Sequence, residues 1–310
     1  ARQNGWMSAD DIRELENMNP LPDGQGKTYL IPMNMLPADQ VGSGQTGEEV
    51  TRGKENRRFR EAWEKRALQS AQKRHQVAQA HKRLFQDAMA RVVRREVNDI
   101  RKAAKKYLTR RNLTDFNSWL IEFYEEHPDF MEKNMLPVFM AYAELVHGAA
   151  AEEIGTETGL TPAMEEFVRA YVANFITRYV GESTLQIQSV VRESMAAGVD
   201  LLEAIEQRLT EWEEKRPGKV ASWEVIQAGN AIALATYTAG GVLNKRWNAI
   251  GEDCPYCRPL DGKVVGLNQP FVERDRDYQP EGAETSLRPH YNIGHPPLHR
   301  GCDCMVTSAL

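Results

Sequence analysis

The residues best suited to chemistry are four cysteines and a group of histidines near the end of the chain. Cys254 and Cys257 form a C-x-x-C within "EDCPYCRPLDGK", and "HPPLHRGCDC" at 295–304 holds His295, His299, Cys302 and Cys304. The chain has only four cysteines and seven histidines in 310 residues, so their concentration here needs a reason. A C-x-x-C turn lets two thiolates converge on one ion at about 2.3 Å, and a second pair from a distant turn completes a tetrahedron. His299, Cys302 and Cys304 are three candidates for the two remaining positions, and Pro255 and Gly301 suit the tight turns that bring ligands together. Four protein ligands leave no position for water, so a bound Zn2+ is expected to be structural. A disulfide cross-link ranks second and a cysteine nucleophile third. His295 and His299 are spaced like the pair on a zinc-protease helix, but the intervening "PPL" excludes that helix and no H-E-x-x-H occurs. No P-loop, dinucleotide-binding glycine motif or G-x-S-x-G is found, so the chain is not read as an enzyme.

The elements that must position this cluster follow from composition. At 310 residues and 41% hydrophobic content the chain can bury more than one core, and no apolar run is long enough to span a bilayer. No membrane partner is expected. With no signal-peptide pattern, a reducing compartment is the default, which favours metal or redox roles for paired cysteines. The expected fold is α+β and mostly α-helical: a long basic helix and a helical bundle, followed by a small zinc-stapled, β-containing C-terminal unit. Residues 1–46 read as a tail and linker, with a short helix in "WMSADDIRELENMNP" capped by Ser8. Residues 47–112 read as the basic helix, 113–216 as a helical domain and 217–310 as the C-terminal domain. Thr114 is the expected cap of a helix ending at His127-Pro128; Pro137 is expected to interrupt the next. Thr161-Pro162 and Asp200 with Glu203 open two more, and Pro217-Gly218 is expected to close the latter. "VLNKRWNAI" alternates like a strand, and Asp261-Gly262 between short apolar runs signals a hairpin. Trp119, Phe123, Phe167, Tyr171 and Phe175 fall at helical spacing and are expected in the core, while Glu125-Glu126 and Glu152-Glu153 read as solvated faces.

The net charge of -5 conceals an asymmetry: residues 52–111 hold twenty Lys and Arg against six Asp and Glu. In the first half of that segment the apolar stripe is thin, with Phe59, Trp63 and Leu68 as its main members, so this half is expected to project or bind. A basic run of this length suits an electrostatic partner such as nucleic acid. The candidate contacts are Arg57, Arg58, Arg60, Lys65, Arg66, Lys73, Arg74, Lys82 and Arg83.

Several motifs are shared with a known family. "WEVIQAGNAIALATYTAGG" with Glu224 and Asn230 six apart, then Trp247, C-x-x-C, "LDGK" and a terminal Pro-x-His-x-x-Cys-x-Cys resemble the Mu F-like minor head (head morphogenesis) proteins of tailed bacteriophages, over roughly residues 185–310. The opening "GWMSADDIRELENMNPLPDGQGKTYLIPMNMLP" is similar to the C-terminal end of phage portal proteins. Together the resemblances imply a portal C-terminal segment fused to a minor head protein, inside the virion head and in the host cytoplasm during assembly. They imply a structural role in capsid assembly and in DNA packaging or ejection, with the portal oligomer, capsid or scaffolding proteins and packaged DNA as partners. Two other readings are a zinc-stabilised nucleic-acid-binding protein unrelated to phage, and a toxin-like enzyme domain using the Cys/His cluster.

Overall fold

The computed structural model describes residues 47–110, 112–250 and 254–310. Residues 1–46, where a tail with a helix capped by Ser8 was expected, lie outside the described residues. The chain divides into two units, 1–60 and 61–310; the packing below is that of the second.

Four helices and a small sheet follow one another: α1 (Gly47–Leu108), α2 (Leu113–Ile154), α3 (Pro162–Ala197), α4 (Leu201–Ala239), β1 (Asn244–Asn248), a 3-10 turn (Arg258–Leu260), β2 (Val264–Gly266) and β3 (Met305–Ala309). None of the described helices is long and apolar enough to cross a membrane. The α1 sequence is free of proline and rich in good helix formers, and from Ala67 onward it buries a continuous stripe through Ala71, Ala78, Phe85, Val92 and Ile100. The stripe in its first half looks thin because it is made of alanines, whose small side chains admit close helix contact. From Ala67 onward that half therefore packs along one side, where the sequence suggested a segment that projects or binds, while Phe59 and Leu68 are exposed.

Two helix boundaries differ from expectation. Asn112, not Thr114, caps α2: its Oδ1 accepts the Asp115 N–H at 3.1 Å, and α2 runs unbroken through Pro128 and Pro137. Helix α4 likewise continues through Pro217, so the expected boundary at 217 falls inside it. An interior proline costs about 3 kcal/mol through its missing N–H and its clash with the preceding turn. Burying a large apolar side chain returns about 1.5–3 kcal/mol. Met131, Met135 and Phe139 in α2, and Leu209, Trp212, Ala221 and Val225 in α4, are all buried around the prolines, which carries each helix past its breaker. The remaining starts match: Thr161 caps α3 with Pro162 in the first turn, and Asp200 accepts the Glu203 N–H at 2.9 Å.

The helices meet around Phe85, Phe139, Tyr142 and Phe175, with Phe85–Phe139 and Phe139–Phe175 ring centroids 4.8 and 5.6 Å apart. Tyr142 donates to the Val225 carbonyl at 2.6 Å, a contact that requires glycine one turn later. A Cβ at Gly229 would lie 2.5 Å from the Tyr142 hydroxyl. Phe123 and Phe175 are buried as expected, and Trp119, Phe167 and Tyr171 pack against the core. Two acid–base pairs are interior. Glu96 accepts from Tyr124 at 2.8 Å and Tyr179 at 2.5 Å, with Arg216 at 3.5 Å. Glu153, expected on a solvated face, is instead buried beside Arg74, whereas Glu152 is exposed and meets Lys73.

The sheet has the order β2-β1-β3, with both neighbours antiparallel to β1. Alternation in β1 turns Lys245 and Trp247 inward, which accounts for Trp247 by core packing. Asp261-Gly262 does not join two strands of one hairpin. Pro259 and Leu260 lie in the 3-10 turn, and Asp261 Oδ1 accepts the Ala249 N–H at 2.8 Å, so the pair leads the chain into β2. The excursion between β1 and β2 thus carries the C-x-x-C, and the long one between β2 and β3 returns with the remaining donors.

Candidate metal centre

Each half of the cluster is built by a tight turn. Cys257 N–H and Arg258 N–H both donate to the Cys254 carbonyl, at 3.2 and 3.0 Å, and Leu260 N–H donates to the Cys257 carbonyl. This folds the C-x-x-C so that both sulfurs face one side. On the other half, Cys302 N–H donates to the His299 carbonyl at 3.2 Å, and the turn uses a left-handed residue at Gly301, φ 78°. Glycine adopts that conformation without steric cost.

The structure brings together all five donors expected from the sequence. His299 Nε2 lies 3.0 Å from Cys254 Sγ and 3.2 Å from Cys257 Sγ, and Cys257 Sγ lies 3.6 Å from Cys302 Sγ. Cys254, Cys257 and His299 form one group whose ligand atoms lie within 4.8 Å of one another, and Cys257, Cys302 and Cys304 form a second. Cys257 is common to both. A tetrahedral ion with bonds of about 2.0–2.3 Å separates its ligands by about 3.3–3.8 Å, close to the distances found. All four cysteines are free thiols. His299 Nδ1 is 2.9 Å from the Arg300 carbonyl; donation there keeps the proton on Nδ1 and leaves the Nε2 lone pair facing the sulfurs, as for ligating histidines generally. His295 is not part of the group: its Nδ1 lies 2.6 Å from the Pro296 carbonyl, and burial lowers its pKa.

The electrostatics of the thiols suit a cation. Hydrogen bonds from Cys257 and Cys304 pull the Cys302 thiol well below its usual range, while the Cys257 thiol, donating to Cys302, is pushed up. A divalent cation bound here would take the place of thiol protons. The donors fit a metal ion.

The cluster is tied directly to the helices. Cys304 immediately precedes β3, whose five residues are all buried. Asn230 of α4 donates to the Cys304 carbonyl at 3.1 Å and accepts the Val306 N–H at 2.7 Å. Glu153 of α2 accepts from the Ser308 N–H at 2.7 Å, the Ser308 hydroxyl at 2.6 Å and the Tyr237 hydroxyl at 2.6 Å. Arg74 of α1 donates to the Val306 carbonyl at 2.6 Å, and Trp63 donates to the Ser308 hydroxyl at 3.0 Å. Glu224, the other motif residue, is buried at the α3–α4 contact, where it accepts from Tyr171 at 2.9 Å and lies 3.6 Å from Arg178. Burial raises its pKa to about 7.

The candidate nucleic-acid contacts divide. Arg57, Arg58, Arg60, Lys65, Arg66, Lys73 and Arg83 are exposed, and Lys82 is half-buried. Arg74 is removed from the set: it is 1% exposed and held by Ser70, Tyr237, Val306 and Glu153. Its spacing from Ala67, Ala71 and Ala78 places it on the inward stripe, a signal hidden by the small size of those residues.

Comparison with known proteins gives one local similarity. Over 47 residues, 15% of this chain, the sequence is 45% identical to the probable portal protein of Streptomyces phage phiC31, and the match spans 8% of that protein. No family model and no solved structure matches the chain.

Proposed function

We propose that the chain is a Mu F-like minor head protein of a tailed bacteriophage, joined to a portal C-terminal segment, with a structural role in capsid assembly and in DNA packaging or delivery. The observation that carries this reading is the local similarity to a phage portal protein. It is supported by two adjoining groups of Cys and His donors that share Cys257 and could hold a metal ion. In this role the protein has no turnover. Its partners are the portal oligomer, capsid or scaffolding proteins, and packaged DNA along α1; its place is the host cytoplasm during assembly and then the head interior. Zn2+ held by the cysteines and His299 serves as the clasp of the C-terminal unit.

The test is genetic and biochemical. Deletion of the whole protein in the phage is expected to reduce the yield of filled heads severely, and tagged protein is expected to co-purify with the portal oligomer. Full head yield after the deletion would sink the assembly role. A second reading, a zinc-stabilised nucleic-acid-binding protein outside phage, is favoured by the exposed cations of α1; DNA binding without portal association or head defects would select it.

A further inference from the structure

We propose that the outward face of α1 from Lys65 to Arg83 is the surface that meets duplex DNA, and that its glutamines, not cations alone, contact the phosphates. The inference rests on the reading of DNA as a partner. Lys65, Gln69, Gln72, Gln76, Gln79 and Arg83 succeed one another at alternating steps of four and three residues, which puts them on one stripe of the helix. All six are exposed, on the side away from Ala67, Ala71, Ala78 and Phe85.

The composition of this stripe points to a polyanion. The chain contains 44 Asp and Glu, yet none occurs from position 65 to position 86. Helix faces meant only for water usually intersperse both signs of charge. Glu64 and Asp87 bound this stretch along the helix, Asp87 4.0 Å from Arg83, and at its flanks Glu152 meets Lys73 and Asp303 lies 3.9 Å from His75. Gln79 lies 3.2 Å from the His75 ring, while Gln69, Gln72 and Gln76 make no side-chain hydrogen bond among the described residues. A glutamine amide donates to a phosphate oxygen without adding charge, and such contacts fix register without reading sequence. Eighteen helical steps at 1.5 Å give about 27 Å, most of one turn of B-form DNA. Leu68 and Leu84 only border the stripe, so the face has no apolar centre of the kind a protein interface requires.

The experiment uses the full chain and labelled duplexes of unrelated sequence, titrated at several salt concentrations. The quadruple variant Gln69→Ala, Gln72→Ala, Gln76→Ala, Gln79→Ala keeps the helix, since alanine favours it, and retained far-UV circular dichroism checks this. It is expected to bind DNA at least about tenfold more weakly with an unchanged salt slope, whereas Lys65→Ala with Arg83→Ala is expected to reduce the slope by about two units. Wild-type binding matched by the folded quadruple variant overturns the role of the glutamines. No binding by the wild-type chain even at low salt overturns the DNA reading itself. Loss of portal association by the quadruple variant at unchanged DNA affinity would reassign the face to a protein partner.

Discussion

The buried pair Arg74 and Glu153 invites a quantitative test, because both side chains are essentially inaccessible, at 1% and 0%. Glu153 accepts three hydrogen bonds shorter than 2.8 Å, from Tyr237 and twice from Ser308, and Arg74 supplies the compensating charge at 3.6 Å. Glu153→Gln leaves the guanidinium without its counter-charge and places a donor where three donors already point. Breaking one side of a buried ion pair costs about 3–5 kcal/mol. Arg74→Met leaves the carboxylate uncompensated and is expected to cost a similar amount. The double variant removes both charges, so its loss should fall short of the sum of the single losses by about 1.5–3 kcal/mol. Urea unfolding followed by circular dichroism gives the free energies, and amide exchange at Val306 and Ser308 shows whether the loss reaches β3. If the two losses add within about 0.5 kcal/mol, or the β3 amides stay protected, the pair does not hold the strand as argued.

Three further outcomes are expected. For the metal centre, purified protein should carry about one equivalent of zinc, lost in Cys257→Ser and His299→Ala with a lower melting temperature. Cys304→Ser should retain it, since the shortest approaches join Cys254, Cys257, His299 and Cys302, although Cys304 also lies within 4.8 Å of Cys257 and Cys302; zinc loss on changing Cys304 but not His299 would reverse that assignment. For pH, Glu224 is raised from 4.5 to about 7 by burial, so the folded state holds the proton more tightly than the unfolded chain. Its contribution to stability is full below about pH 4.5 and declines as pH rises to about 7, by up to about 3 kcal/mol. Glu224→Gln should remove that slope, and an unchanged slope would exclude Glu224 as its source. For packing, Gly229→Ala should destabilise by about 1–3 kcal/mol through overlap with the Tyr142 hydroxyl. Adding Tyr142→Phe should recover part of it, and no recovery would place the strain elsewhere.

The convergence of the cysteines and His299 was readable from sequence because it is built locally. Two short motifs fold as tight turns, and each turn presents its sulfurs whatever lies between them. Helix starts at Thr161 and Asp200 were readable for the same reason, since a cap involves only the next three residues. What escaped was every feature decided by distant packing. Pro128, Pro137 and Pro217 look like breakers until the buried side chains on both sides are counted. Arg74 and Glu153 look like surface charges because each lies among exposed charged neighbours, and only the return of β3, 155 residues after Glu153, buries them.

That return strand sets how the C-terminal unit and the helices depend on one another. A sheet of three strands, two of five residues and one of three, buries too little to be stable alone, so it gains from both the clasp and the helix core. The dependence is reciprocal. If Cys302 loses its hold, β3 is free to leave, and Asn230, Glu153 and Arg74 then lose the Cys304, Val306 and Ser308 partners that satisfy them. Each buried polar group left unmet costs about 1–3 kcal/mol, so the penalty falls on α1, α2 and α4 and not on the sheet alone. Zinc removal by a chelator is therefore expected to raise amide exchange along the α2 and α4 segments around Glu153 and Asn230 together with β3. Exchange that rises only within residues 254–304 would mean that the clasp closes a self-contained unit and that the helices stand without it.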